Sequence, residues 1–109
     1  MNTKVTTIVV GSILEEGPTL NLAELCQHCQ TPAEFIISLV DQGVIAPVEG
    51  SSTRKWQFHQ SALIRTDKAL RLRQDLGINL SGIALSLELL DEIDNLKREL
   101  NELRHFAQL

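Results

Sequence analysis

Two short capped helices separated by almost nothing constrain this chain more than any other feature. The first starts at Asn21 with Glu24 three residues on, a pairing in which each side chain satisfies the other's backbone amide. Its apolar positions Leu22, Leu25, Cys26 and Cys29 follow i, i+3, i+4, i+7 spacing, which predicts one buried face. The second start is Thr31-Pro32-Ala33-Glu34: Thr31 as cap, Pro32 at the first helical position, Glu34 at the third. That helix is expected to bury Phe35, Ile36, Leu39 and Val40 and to end at Gly43, which suits a left-handed residue just past a helix. Only two residues separate Cys29 from Pro32, the tight connection of a helix-turn-helix.

A helix-turn-helix that reads DNA places its second helix in the major groove and needs cations there for phosphate and base contacts. Residues 21–43 contain Glu24, Glu34 and Asp41, and no Lys or Arg. The frame is that of a DNA reader, while the surface argues for a different partner.

The flanking segments complete a single domain over residues 1–109, with a core at 1–78 and a long terminal helix at 79–109 as a dimerisation coil. The β-branched run at 4–10 (Val5, Thr6, Thr7, Ile8, Val9, Val10) predicts a strand. After Pro47, V-E-G-S-S-T-R-K-W-Q-F-H reads as two short strands around a Gly-Ser-Ser turn, the wing. Trp56 and Phe58 then face one side, with Lys55 and Gln57 on the other. Ser61 is the expected cap of a third helix that stops at Gly77. A fourth begins between Asn79 and Ser81 and runs to about His105, reaching roughly 35–40 Å. The expected fold class is mainly α, a winged helix-turn-helix with a small β-hairpin wing and a long C-terminal helix.

Composition narrows the function. A length of 109 residues matches one modest core, and the net charge of −4 weighs against a nucleic-acid target. Aromatics are limited to Phe35, Phe58, Phe106 and Trp56, few platforms for stacking single-stranded bases. No run approaches the ~18 apolar residues of a membrane span, and the start lacks a cleavage-site pattern, so the expected location is the cytoplasm. Cys26 and Cys29 form C-Q-H-C, either half of a metal or redox site or two small core residues. The helical spacing favours the core, and His28, His59 and His105 offer no second paired spacing for zinc. Scattered histidines, no nucleophile–base pair and no Gly-rich phosphate loop leave no enzyme, cofactor or metal expected.

The order of these parts resembles the MerR-like regulators, and the C-terminal half is closer to the chaperone-modulator family CbpM. The likeness covers roughly residues 20–106. It is carried by Gly43-Val44-Ile45-Ala46-Pro47, Trp56-Gln57-Phe58, Ala69-Leu70-Arg71-Leu72-Arg73, Gly82-Ile83-Ala84-Leu85-Ser86-Leu87, Leu90-Asp91-Glu92-Ile93 and Leu96-Lys97. DNA-binding MerR regulators use an Arg-Tyr pair in the reading helix and a Gly-Tyr-Arg-type wing. Phe35-Ile36-Ile37-Ser38 and Arg54-Lys55-Trp56-Gln57-Phe58 stand there instead. The CbpM resemblance implies a non-enzymatic protein that binds the J-domain of the DnaJ-like co-chaperone CbpA. Such proteins block both its stimulation of Hsp70 and its DNA binding. The alternative is a MerR-like dimeric transcription regulator that binds operator DNA, and a plainer one is an adaptor using the frame as a rigid platform.

Three charge and apolar patterns supply candidate surfaces. Glu88, Asp91, Glu92 and Asp94 crowd one helix within a stretch, Gln74 to Leu96, that holds no Lys or Arg. Each like-charge pair at i+3 or i+4 costs about a few tenths of a kcal/mol. Asp94 alone has basic sequence neighbours, Lys97 and Arg98. The cluster is either an acidic face kept for a basic partner or a solvated outer face. The resemblance implies the former, because J-domains present a basic helical face to Hsp70. Arg54, Lys55, Arg65, Lys68, Arg71 and Arg73 form a basic stretch against Asp67 alone. It could grip phosphate, dock an acidic protein patch, or be spent on Asp75 and the terminal helix. Leu89, Ile93, Leu96, Leu100 and Leu103 repeat at 4-3-4-3 spacing, a heptad seam for a homodimer or for folding back on the same chain.

Overall fold

The computed structural model describes residues 17–108, and the strand expected at 4–10 lies outside the described residues. In chain order the elements are β1 (Leu20–Asn21), α1 (Leu22–Cys29), α2 (Ala33–Asp41), a 3-10 turn (Thr53–Lys55), β2 (Gln57–Phe58), α3 (Gln60–Leu76) and α4 (Leu80–Ala107).

The start of α1 follows its sequence. The Glu24 amide donates to Asn21 Oδ1 at 2.8 Å, and the Asn21 amide donates to Glu24 Oε1 at 3.0 Å. Its end departs from the expected pattern. Gln30 takes the left-handed conformation, φ 53° and ψ 49°. The Thr31 amide then reaches the Cys26 carbonyl at 3.1 Å and the Gln30 amide the Gln27 carbonyl at 3.4 Å, satisfying two otherwise orphaned carbonyls. This turn swings Thr31 inward, where it is buried, so it does not cap α2. Pro32 occupies the cap position without a side-chain bond, and Thr31 Oγ1 has no hydrogen-bond partner among the described residues. The end of α2 uses the same device with the residue best suited to it. Gly43 sits at φ 73°, the Val44 amide donates to the Leu39 carbonyl at 2.9 Å, and the Gly43 amide donates to the Val40 carbonyl at 3.0 Å.

The wing is less of a hairpin than expected. Val48 donates to the Gln57 carbonyl at 2.8 Å and Gln57 donates back to Glu49 at 3.0 Å, a single antiparallel bridge. Gly50, at φ 108°, lets the chain pass against the Lys55 carbonyl, where any Cβ would collide. Thr53–Lys55 wind into the 3-10 turn, so Lys55 is not a strand residue. The regular partner of β2 is β1: Leu20 lies opposite Phe58 and Asn21 opposite Gln57, antiparallel. The sheet therefore ties the wing to the entrance of the helix-turn-helix.

Side chains from every layer meet in one core. Leu25 of α1, Ile36 and Leu39 of α2, Phe58 of β2, and Ile83 and Leu87 of α4 are fully enclosed. Trp56 sets its ring edge against Phe58, centroids 5.9 Å apart at 83°, so both aromatics do face the core as their spacing predicted. Val40 is only half-buried at its margin.

Helix α3 begins after His59, which makes no side-chain cap bond; Ser61, the expected cap, lies inside the first turn. It ends at Gly77, φ 63°, as read from the sequence. Asn79 Oδ1 accepts from the Gly82 amide at 2.8 Å and fixes the start of α4. Ile83 and Leu87, one turn apart, hold the first part of α4 on the core. Leu90, the next apolar residue on that side, is about half exposed. Every residue from Glu88 to Gln108 is exposed, so α4 leaves the domain as a rod. No helix among the described residues is long and apolar enough to cross a membrane.

Candidate partner-binding surface

The four acidic residues of α4 sit just past the point where the helix leaves the core. Glu88, Asp91, Glu92 and Asp94 are all exposed. They do not form one stripe, because 100° per residue winds them around the helix. Glu88, Asp91 and Glu92 share a flank at i, i+3, i+4, while Asp94 turns back toward the side that carries Ile83 and Leu87.

Asp91 is not free. The Arg65 guanidinium of α3 binds it with both terminal nitrogens, Nη1 to Oδ1 at 3.1 Å and Nη2 to Oδ2 at 3.0 Å. The same guanidinium donates from Nε to the Val44 carbonyl just after α2. Asp94 is thus not the only carboxylate of the cluster with a basic neighbour. The neighbour of Asp91 comes from another helix, which sequence spacing does not reveal.

The six cations of the expected basic stretch fall into separate settings. Arg54, from the 3-10 turn, lines an open cleft of about 540 Å³ with Asn21, Leu22, Ala23, Cys26 and Ala33, beside the starts of α1 and α2. Lys55 is exposed next to it. Arg65 is committed to Asp91 and Val44. Arg73 lies over the Phe35 ring, its guanidinium carbon 4.4 Å from the centroid, a cation–π contact. Lys68 and Arg71 lie at i, i+3 on the outer face of α3. Together with Leu72, Asp75, Leu76, Leu87 and Leu90 they line an apolar groove of about 430 Å³ between α3 and α4. No ion pair from Arg71 or Arg73 to Asp75 or α4 is present among the described residues.

The seam residues Leu89, Ile93, Leu96, Leu100 and Leu103 are between 45% and 67% exposed. Leu89 follows Leu87 by two positions, which places it about 200° further round the helix. The seam therefore faces away from its own domain, and the fold-back alternative is not adopted.

The cysteine pair belongs to the core. Both thiols are free, Cys29 buried and Cys26 half-buried. Burial pushes the Cys29 thiol up to about 11, with nearby Asp67 adding to the effect, and burial also raises Cys26. Cys29 Sγ donates weakly to the Leu63 carbonyl at 3.9 Å. A raised thiol pKa opposes the thiolate that metal binding or redox exchange requires. Among the described residues no group of three or more His, Cys, Asp or Glu side chains is placed to hold a metal ion.

The comparisons agree with this architecture. The family model described as "MerR HTH family regulatory protein" matches residues 20–105. A chaperone modulatory protein CbpM from Coxiella burnetii (strain Dugway 5J108-111) is 39% identical over 91% of this chain and 92% of its own length. CbpM of Citrobacter koseri is 41% identical over 74% of this chain and 79% of its own. CbpM of Pseudomonas putida (strain F1) is 36% identical over 78% and 83%. A helix-turn-helix with a cation-free second helix, a reduced wing and a long terminal helix thus comes with likeness over most of the chain to one group of proteins: the chain belongs to the MerR-type helix-turn-helix proteins and, within them, to the chaperone modulatory protein CbpM family.

Proposed function

We propose that this protein modulates a chaperone system without catalysing a reaction, by binding the J-domain of a DnaJ-like co-chaperone of the CbpA type in the cytoplasm. The observation that carries the reading is the likeness to named chaperone modulators over nine-tenths of the chain, 39% identical. The surface supports it. Glu88 and Glu92 offer negative potential on an exposed flank of α4, with Asp91 beside them in its ion pair to Arg65 and Asp94 on the side of the apolar groove that reaches Leu90, an arrangement suited to a partner with a basic helical face. Occupying that face would deny it to Hsp70 and to DNA alike. Two copies joined along the exposed seam of α4 are the proposed working unit.

The test is an isothermal titration against the isolated J-domain of the organism's own CbpA-like protein, at two salt concentrations. Saturable binding that weakens with salt supports the reading, and no binding at tens of micromolar overturns it.

A second reading, a dimeric regulator that binds operator DNA, draws on the family match and on Arg54 beside the helix-turn-helix cleft. Against it stands α2, which brings no cation to that cleft. Duplex binding with a log–log salt slope near −0.9 per phosphate neutralised would favour it.

A further inference from the structure

We propose that Arg65 is a built-in competitor for the acidic face of α4: it holds both oxygens of Asp91, and a basic partner must displace it to use that carboxylate. The inference rests on the reading of that face as the partner-binding site and adds how access to it is set.

Helical geometry explains why Asp91 is the residue masked. At about 100° per residue, Asp91 lies about 60° from Glu88 on one side and Glu92 about 40° on the other. Asp91 is therefore the carboxylate of this flank nearest α3, and Arg65 reaches it with Nη1 on Oδ1 at 3.1 Å and Nη2 on Oδ2 at 3.0 Å. Of the six cations between residues 54 and 73, Arg65 is the one that forms an ion pair among the described residues. Glu88 and Glu92 have no such partner there and face solvent.

The pair is placed to be exchanged. The Asp91 side chain is 55% exposed and that of Arg65 29%, so a partner cation can approach the carboxylate while Arg65 is still in place. Breaking the pair leaves α4 seated, since Ile83 and Leu87 are enclosed in the core and hold it there. Nε of Arg65 donates to the Val44 carbonyl, so the side chain stays tethered beside α2 when its terminal nitrogens let go. Exchange is a swing of one side chain.

Chemistry decides what displaces it. A planar guanidinium matches both carboxylate oxygens at once, whereas an ammonium is a point charge. A partner lysine exchanges two charge-assisted hydrogen bonds for one contact and leaves Arg65 as an unpaired cation facing it. A partner arginine reproduces what it replaces. Arg65 thus weakens every basic partner, lysine-bearing ones most, and sets specificity through Asp91.

Calorimetric titration of the full chain with the isolated J-domain of the organism's own CbpA-like protein tests this with the parent, R65Q, D91N and R65Q/D91N. R65Q tightens binding about fivefold, although it removes a contact that holds α4. The same change made on D91N tightens it less than about twofold, because no carboxylate is left to unmask. R65K keeps the charge without spanning both oxygens and falls between the parent and R65Q; it decides the matter where circular dichroism shows R65Q unfolded. Binding by R65Q or R65K that is equal to the parent's or weaker makes Arg65 a brace for α4 and overturns the inference. An equal gain on D91N overturns it too, since net charge alone then accounts for the gain. A J-domain that binds none of these proteins overturns the function proposed above and leaves the inference to decaarginine and decalysine peptides, followed at the amides of residues 88–94 at low salt. The parent then prefers decaarginine by about fivefold and R65Q by less than about twofold. Equal preference in the two proteins overturns the inference by itself.

Discussion

Arg65 and Asp91 fasten α4 to the core at the residue where the helix departs, through a two-pronged contact at 3.0 and 3.1 Å. Arg65 is half-buried and Asp91 about half exposed, so the pair is partly screened. Asp91→Ala should destabilise the domain by about 0.5–1 kcal/mol. Arg65→Ala should cost more, because the Val44 carbonyl loses its donor as well. A urea double-mutant cycle measures the coupling, and a coupling of zero would show that the contact does not hold α4.

The same ion pair separates two roles on one helix. If Glu88 contacts a basic J-domain, Glu88→Lys should lower its affinity about tenfold and flatten the salt dependence, while the melting temperature holds or rises slightly as the repulsion from Asp91 and Glu92 is relieved. Asp91→Lys should lower affinity and stability together, since it also places a cation against Arg65. Titration calorimetry beside thermal denaturation reads both effects. Equal affinity for the parent and Glu88→Lys would remove Glu88 from the contact.

Gln30 at φ 53° occupies a conformation that disfavours a Cβ. Gln30→Gly should raise stability by about 0.5–1 kcal/mol, the released strain exceeding the added freedom of the unfolded chain. Chemical denaturation checks this. A loss of stability would mean that the Gln30 side chain supports the turn in some other way.

Cys29 ties stability to alkaline pH. Its folded pKa of about 11 lies above the ordinary value of 9.0, so between these values the unfolded chain gives up the thiol proton and the folded chain keeps it. Stability is therefore complete below about pH 9 and falls as pH rises toward 11. Cys29→Ala should be less stable at pH 8 and show a shallower decline. Urea midpoints across pH 8 to 10.5, compared between the two proteins, isolate that difference.

Leu87 and Leu89 lie two residues apart and face opposite ways. Leu87→Ala should cost about 2–5 kcal/mol, as for other enclosed leucines. Leu89→Ala should change the stability of a dilute sample by less than about 0.5 kcal/mol. At high concentration, its melting temperature should fall below the parent's if the seam joins two copies.

Local chemistry was legible in the sequence where one residue acts on its near neighbours. The Asn21–Glu24 box, Gly43, Gly77, Asn79 and the core face of α2 all follow from short-range rules. Thr31 and Ser61 looked like equally good caps and are not: the left-handed turn at Gln30 carries Thr31 into the core, and α3 already begins at Gln60, one residue before Ser61. The two-residue strands β1 and β2 are too short for any periodicity, and their pairing joins residues 38 and 36 positions apart in sequence, Leu20–Phe58 and Asn21–Gln57. The acidic cluster was readable as composition, but its partner Arg65 was not, since that contact depends on how α3 crosses α4. The heptad seam was visible as spacing. Only the placement of Ile83 and Leu87 shows which way it faces.

Beyond Asp91 α4 is exposed at every residue and makes no contact with the core, so its backbone there is held by its own hydrogen bonds alone. An isolated helix of about fifteen residues is marginal in water. The last turns of a lone chain should therefore exchange their amide hydrogens quickly, while those near Ile83 stay protected. Whatever settles on this rod must bear the entropy of stilling it, so the tail acts as a rheostat: association that covers it is weakened by the cost of its order, and the strength of that order sets how readily the association reverses.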